Sequence, residues 1–379
     1  MYYVYFKVSW AIFYGGYYGK KFLCEKDKEE FRKVLSYNLQ LVCGKWCKDN
    51  DAEIQEMLSE LNKSIKSLET VNYGANEYLD SRREVGETMS NSIGQSKIYM
   101  KGYNNAPTYI YNSIQHTFSH ELFHAIYALM NRCNDRIDLE GKRIFWIGKA
   151  NGKSYIGVGG TLCDRNAPNK YGKLFEETMM DMKASMALAE FDKEYQLKNQ
   201  KVTADTILSD NISKWGNYYD SSYKKMVSLT QLMIAAFANE PDINYHYWIH
   251  SGQPMDKLKS RRKNGEIIYA NDFLYGMMYD PIHIMEKYDK YMDEGAYINL
   301  LKFIDEKIYY GCIDSDKIDA KSMKKAMATI AEFANKRMTD FIKNGVFSID
   351  EYGKLRNKFN TIWNSILEEY DICHTVDEL

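Results

Sequence analysis

The sequence predicts an α+β protein that is predominantly α-helical, with a small N-terminal sheet beside a histidine-bearing helix and a helical C-terminal lobe. Two observations predict this. Beyond about Asp192 the apolar residues recur almost wholly at helical spacing. Strand and turn signals concentrate in the first half of the chain. The division falls at residues 1–172, an N-terminal lobe, and 173–379, the helical lobe.

The elements justify this in order. In the N-terminal segment, Tyr3, Tyr5, Lys7 and Ser9 alternate with Val4, Phe6, Val8 and Trp10, the period of a strand. That segment lacks a basic leader region, Lys7 interrupts it, and it is too short to span a bilayer. The expectation is therefore a chain without a stable membrane span, its location left open, with the cytoplasm favoured over secretion and a degenerate secretion signal as the alternative. From Asp49 to Leu68 an amphipathic helix is expected, with Ile54, Met57, Leu58, Leu61, Ile65 and Leu68 on one face. A polar stretch follows to about Gln95. Lys97 to Tyr103 reads as a short strand, closed by the turn Asn104-Asn105-Ala106-Pro107. Between Arg143 and Gly160, Asn151-Gly152 separates two apolar runs, the signature of a hairpin. A loop with Asn166, Pro168 and Asn169 leads into a helix starting near Gly172. Further helices are expected around 223–239, 325–342 and 355–370.

Composition narrows the function classes. The chain has 379 residues, enough for one large domain or two lobes, with 45% hydrophobic and 27% charged residues, the balance of a soluble protein. The formal net charge of -2 argues against nucleic acid, because phosphate binding needs a basic surface. Seven cysteines at irregular spacing do not form a disulfide framework, and Cys43 and Cys47 are too far apart for the redox CxxC motif. The 32 tyrosines fit either rings lining a groove or a compositional bias. The basic run Lys257 to Lys263 reads as a solvated loop, with an acidic-substrate contact as the second choice.

The stretch His116 to Leu129 carries the chemistry. On a helix, Phe118, Leu122, Ala125, Ile126 and Leu129 share one face, while His116, His120 and His124 lie on nearly the opposite one. Imidazoles at i and i+4 reach one metal ion, and Glu121 between them can reach a water there without being a ligand. Hydrolytic zinc takes three protein ligands and keeps one position open. Glu177 and Asp181, again i and i+4, share a face with Ala184 and Leu188, where buried carboxylates need a positive partner. Glu177 suits a third ligand, and Asp181 suits the acceptor for the outer N–H of a ligating histidine. His116 is better placed as a cleft residue than as a fourth ligand. The bland alternatives are a helical HExxH that binds nothing and a solvated acidic helix face.

His120-Glu121-Leu122-Phe123-His124, followed by Glu177 and Asp181 as ExxxD, resembles the gluzincin metallopeptidases, the thermolysin-like clan. The resemblance spans about His116 to Leu188. It implies a thermolysin-like zincin core, a Zn2+ ion on His120, His124 and Glu177, Glu121 as general base, and a peptide or protein substrate. Two departures stand out. Glu176 occupies the place where the family often has asparagine, and the gap between His124 and Glu177 is longer than in thermolysin. The metzincin pattern fails, since no third histidine follows at its spacing. The clan completes its site with a tyrosine, histidine or arginine that stabilises the oxyanion. Tyr171 is the first candidate here, then His246 and His250. Lys97 to Tyr103, just before the motif helix, is the expected edge for an extended substrate. The competing expectation is a catalytically inactive zincin-fold binding or scaffold protein.

Overall fold

The computed structural model describes residues 71–74, 86–90, 96–101, 117, 119–125, 136–137, 143–144, 147–158, 160–167, 169–191, 223–240, 259–263, 266–315 and 317–370. Its described part is predominantly helical with small sheets. The expected N-terminal strand and the Asp49–Leu68 helix lie outside the described residues, as do His116, His246 and His250.

Among the described residues, three strands precede the motif helix: β1 (Val71–Gly74), β2 (Gly86–Ser90) and β3 (Ser96–Lys101). β3 is the expected strand, but it is not an edge. It sits in the centre, parallel to β1 and antiparallel to β2. The edge nearest the motif helix is β2, which the sequence presents only as a polar stretch. Its side chains from Gly86 to Met89 are half-buried, so no hydrophobic run marks it. The motif helix α1 covers residues 119–125.

After the two-residue strands β4 (Arg136–Ile137) and β5 (Arg143–Ile144) comes a four-stranded antiparallel sheet. Its strands are β6 (Ile147–Ala150), β7 (Lys153–Val158), β8 (Thr161–Asp164) and β9 (Lys170–Tyr171), in that order. The β6–β7 hairpin turns at Asn151 and Gly152, both with positive φ (51° and 70°). Asparagine and glycine tolerate that conformation, and it matches the twist of the two strands.

The helices follow: α2 (Lys173–Phe191), α3 (Lys224–Ala236), α4 (Asp272–Tyr279), α5 (Pro281–Asp289) and α6 (Ala296–Ile304). A π-helical segment, Asp305–Tyr309, joins α6 to α7 (Tyr310–Ser315), and α8 (Ala320–Lys343) and α9 (Ile349–Glu369) close the described chain. Local capping explains several starts. Asn271 accepts from the Phe273 and Leu274 N–H groups, and Ser348 with Glu351 forms a capping box. The basic run is not a solvated loop: Lys259–Lys263 forms β10, paired antiparallel with β11 (Glu266–Tyr269). None of the helices among the described residues is long and apolar enough to cross a membrane.

One hydrophobic core runs through these elements. Ile98, Leu122, Phe123, Leu162 and Phe175 belong to the same cluster as Met233, Phe273, Leu300, Ile330 and Ile366. α2 buries Leu174, Phe175, Met179, Met180, Met182 and Ala184 completely. It meets α3 through Thr178, whose hydroxyl donates to the Leu174 carbonyl at 2.7 Å and lies 2.6 Å from the Thr230 hydroxyl. This packing fixes α2, whose Glu177 and Asp181 meet His120 of α1.

Candidate metal centre

α1 supplies two histidines and a glutamate because its spacing returns to one face every four residues. That face is largely covered, with the His124 side chain 15% exposed. His120 is 5% exposed and Glu121 6%, while Leu122, Phe123 and Ala125 bury the other side. α2 covers the histidine face with Glu176, Glu177 and Asp181.

The two helices converge on a common point. His120 Nε2 lies 3.0 Å from Glu177 Oε2, and His124 Nε2 lies 3.4 Å from the same oxygen. The two Nε2 atoms are 3.1 Å apart. Behind them, His120 Nδ1 meets Asp181 Oδ1 at 3.1 Å, and His124 Nδ1 meets Glu176 Oε1 at 3.6 Å. One ligand atom from each of His120, His124 and Glu177 lies within 4.8 Å of the others, so these three form a group that could hold a metal ion.

The charges follow from this crowding. Burial opposes a proton on His120, yet its bonds to Asp181 and Glu177 outweigh burial and hold its pKa at about 9. Burial likewise opposes the charge on His124, but Glu177 and Glu176 raise its pKa well above the ordinary histidine value. Burial pushes the Glu177 carboxyl up, but the two histidines prevail and hold it well below the carboxylate range. Glu121 moves the other way. Burial raises its pKa, reinforced by Glu177 and only partly countered by His120, His124 and Thr88.

Glu121 is held by a strand rather than by its helix neighbours. The Thr88 hydroxyl of β2 lies 2.7 Å from Glu121 Oε2 and 2.7 Å from its backbone carbonyl, with one proton to donate between them. Gly86, two residues earlier, has no side chain where one would collide. An added Cβ would stand 2.7 Å from Thr117 Cγ2 and 3.0 Å from Glu121 Cγ.

The Tyr223 ring stacks on His120, with centroids 5.6 Å apart and planes 10° apart, and the Tyr309 ring stacks on Tyr223 at 6.2 Å and 4°. The expected tyrosine, Tyr171, does not join this group. It ends β9, with ring contacts among the described residues to Tyr155 (6.3 Å) and the Lys302 ammonium (5.0 Å). Tyr223 is the tyrosine whose ring stacks on His120. Among 32 tyrosines nothing local singles out Tyr223 or Tyr309. A π-helical insertion, which often accompanies a functional site, is the one feature that marks Tyr309.

The same π segment holds the start of α2. Asp305 accepts from the Gly172, Lys173 and Leu174 N–H groups at 2.7, 3.2 and 3.1 Å. Glu177 is thus anchored one turn into a helix whose first N–H groups are satisfied by a residue far along the chain. No family model matches the chain, and neither a curated protein nor a solved structure matches it.

Proposed function

We propose that this chain is a zinc-dependent metallopeptidase that hydrolyses peptide bonds, with a thermolysin-like pairing of an HExxH helix and a glutamate-bearing helix. The observation that carries this is the convergence of His120, His124 and Glu177 from two helices, with Asp181 behind His120 and Glu121 alongside. The donor set fits zinc. Two imidazole nitrogens and one carboxylate oxygen make a three-ligand set, which leaves the fourth tetrahedral position for water or substrate. The ion's charge would also compensate Glu177 and Asp181, which sit among buried apolar residues.

Bound there, zinc would acidify a coordinated water and polarise the scissile carbonyl. Glu121 takes a proton from the attacking water on its carboxylate and returns it to the leaving amide nitrogen. Thr88 fixes one end of that carboxylate, and burial raises its proton affinity toward the range a general base needs. Asp181 accepts the outer N–H of His120 and so fixes which ring nitrogen carries the lone pair. Tyr223, whose ring stacks on His120 with Tyr309 behind it, is the candidate hydroxyl donor for the oxyanion that develops on the substrate.

Elemental analysis of the reconstituted protein tests the metal. One zinc per chain is expected, lost in the His120→Ala, His124→Ala double variant. No zinc in wild type, or undiminished zinc in the variant, refutes it. Catalysis is tested with an unbiased peptide library and Glu121→Gln, which keeps the side-chain shape but cannot accept a proton at neutral pH. Zinc content and stability should persist while hydrolysis falls by about 10²–10⁴-fold, the usual loss on removing a general base. Equal cutting by both proteins would exclude Glu121 as the base. Full zinc occupancy without any cleavage would favour a binding or scaffold protein.

A further inference from the structure

The residue before the third ligand departs from the pattern of the family that the motifs resemble, and its position gives that departure a role. α2 presents three carboxylates to the two histidines. Glu177 faces both Nε2 atoms, at 3.0 and 3.4 Å. In helical projection, Glu176 and Asp181 flank Glu177, about 100° to one side and about 40° to the other. Each therefore stands beside a different imidazole. Asp181 Oδ1 meets Nδ1 of His120 at 3.1 Å, and Glu176 Oε1 meets Nδ1 of His124 at 3.6 Å. Both rings thus present Nε2 to the centre and Nδ1 to a carboxylate.

We propose that Glu176 is the positioning residue for His124, the counterpart of Asp181 for His120, so that both ligating rings are backed by carboxylates. This role presupposes the zinc centre proposed above. The chemistry is direct. A histidine that binds metal through Nε2 must carry its proton on Nδ1, and an acceptor there fixes the tautomer and the ring plane. A carboxylate does more than an amide oxygen in that place, because its charge makes the ring a stronger donor to the metal. The two backings are unequal. The Asp181 side chain is 2% exposed and its contact is of hydrogen-bond length. The Glu176 side chain is 19% exposed and its contact has ion-pair length. Glu176 is accordingly the weaker of the two. The competing explanation is an acidic residue in the first turn of α2, which favours the helix dipole and nothing more. Loss of that effect would change stability without touching His124.

The experiment compares wild type, Glu176→Gln and Asp181→Asn as full-length, zinc-loaded proteins with 15N-labelled histidine. Chelator competition measures zinc affinity, and NMR measures the Nδ1–H proton of each ligand histidine. Glu176→Gln should weaken zinc binding by about tenfold, the low end of the range for such partners, and move the His124 Nδ1–H signal upfield while leaving that of His120 in place. Asp181→Asn should weaken binding by up to about 100-fold and move only the His120 signal. Wild-type affinity together with an unmoved His124 signal in Glu176→Gln overturns the role. Should that variant fail to fold, Glu176→Asp replaces it, since it keeps the charge but draws the carboxylate back by one methylene. Weaker zinc binding with a displaced His124 signal is again expected, and wild-type values overturn the role. A wild-type protein that binds no zinc overturns the metal centre itself, whereas zinc-loaded wild type with an inert Glu176→Gln overturns only the assignment to Glu176.

Discussion

His120 is the residue at which a proton and the proposed metal would compete. Its two ring nitrogens bind Asp181 and Glu177, and they hold its pKa at about 9 against burial. A raised folded-state pKa has a definite consequence for stability. The protonated ring stabilises the metal-free fold fully below its ordinary value of 6.5, and that contribution disappears as pH rises through about 9. The metal-free protein should therefore lose melting temperature between pH 6.5 and 9. In the proposed centre zinc would replace the proton, so the loaded protein should lack this decline and should release protons on loading at pH 7. Calorimetric melts with and without chelator check the first outcome, and pH-stat titration with zinc checks the second. A flat metal-free profile would mean that His120 is neutral in the fold.

At the scale of elements, the site is an assembly of a helix pair and a strand. α1 and α2 bring His120, His124 and Glu177, but β2 sets Glu121, through the Thr88 hydroxyl and the bare Cα of Gly86. The strand can approach so closely only because residue 86 has no side chain. Gly86→Ala places a Cβ 2.7 Å from Thr117 and 3.0 Å from Glu121. β2 must then move outward or Glu121 must swing. Overpacking of this kind typically costs about 1–3 kcal/mol. The expected result is a lower urea midpoint with zinc binding kept and peptide hydrolysis reduced. Unchanged stability and activity would show that β2 has slack at this point. Asp305 illustrates the same dependence on distant elements, since it satisfies three N–H groups at the start of α2 from the π segment.

Across the whole molecule, one buried cation ties the helical elements together. Arg337 of α8 is 1% exposed. It donates to the Ala236, Phe237 and Ala238 carbonyls and to Asn239, where α3 ends, and pairs with Asp272 at 3.7 Å. Asp272 also meets His283 Nε2 at 2.7 Å. α3 packs on α2, so this network supports the helix that holds Glu177. Arg337→Ala leaves several buried carbonyls and one carboxylate short of a partner. Breaking a buried pair usually costs about 3–5 kcal/mol. His283 still holds Asp272, which favours the lower end. Denaturant unfolding should show that loss, while the fraction that remains folded binds zinc normally. A loss below about 1 kcal/mol, the scale of an exposed pair, would mean that water replaces the guanidinium.

The features legible in the sequence are those whose cause is local. His120 and His124 share a face because a helix repeats every 3.6 residues, and Glu177 and Asp181 share one for the same reason. The β6–β7 turn was legible because Asn151 and Gly152 tolerate positive φ. The helix periods of α8 and α9 were legible because each buries one apolar stripe, whereas α2 and α3 are buried nearly all round and were legible from their long apolar runs. Tertiary structure alone decided the rest. β2 carries no hydrophobic alternation, so only pairing with β3 makes it a strand and an edge. Lys259–Lys263 reads as charge, and pairing with β11 makes it β10. Asp305 and the Tyr223–Tyr309 stack reach the site from distant positions, where no spacing rule connects them to the motif. Spacing along a helix therefore specified the His120–His124 and Glu177–Asp181 pairs. Their meeting, and the choice of Tyr223 over Tyr171 as their neighbour, depended on which surfaces packed together, because contacts between distant segments leave no period in the chain.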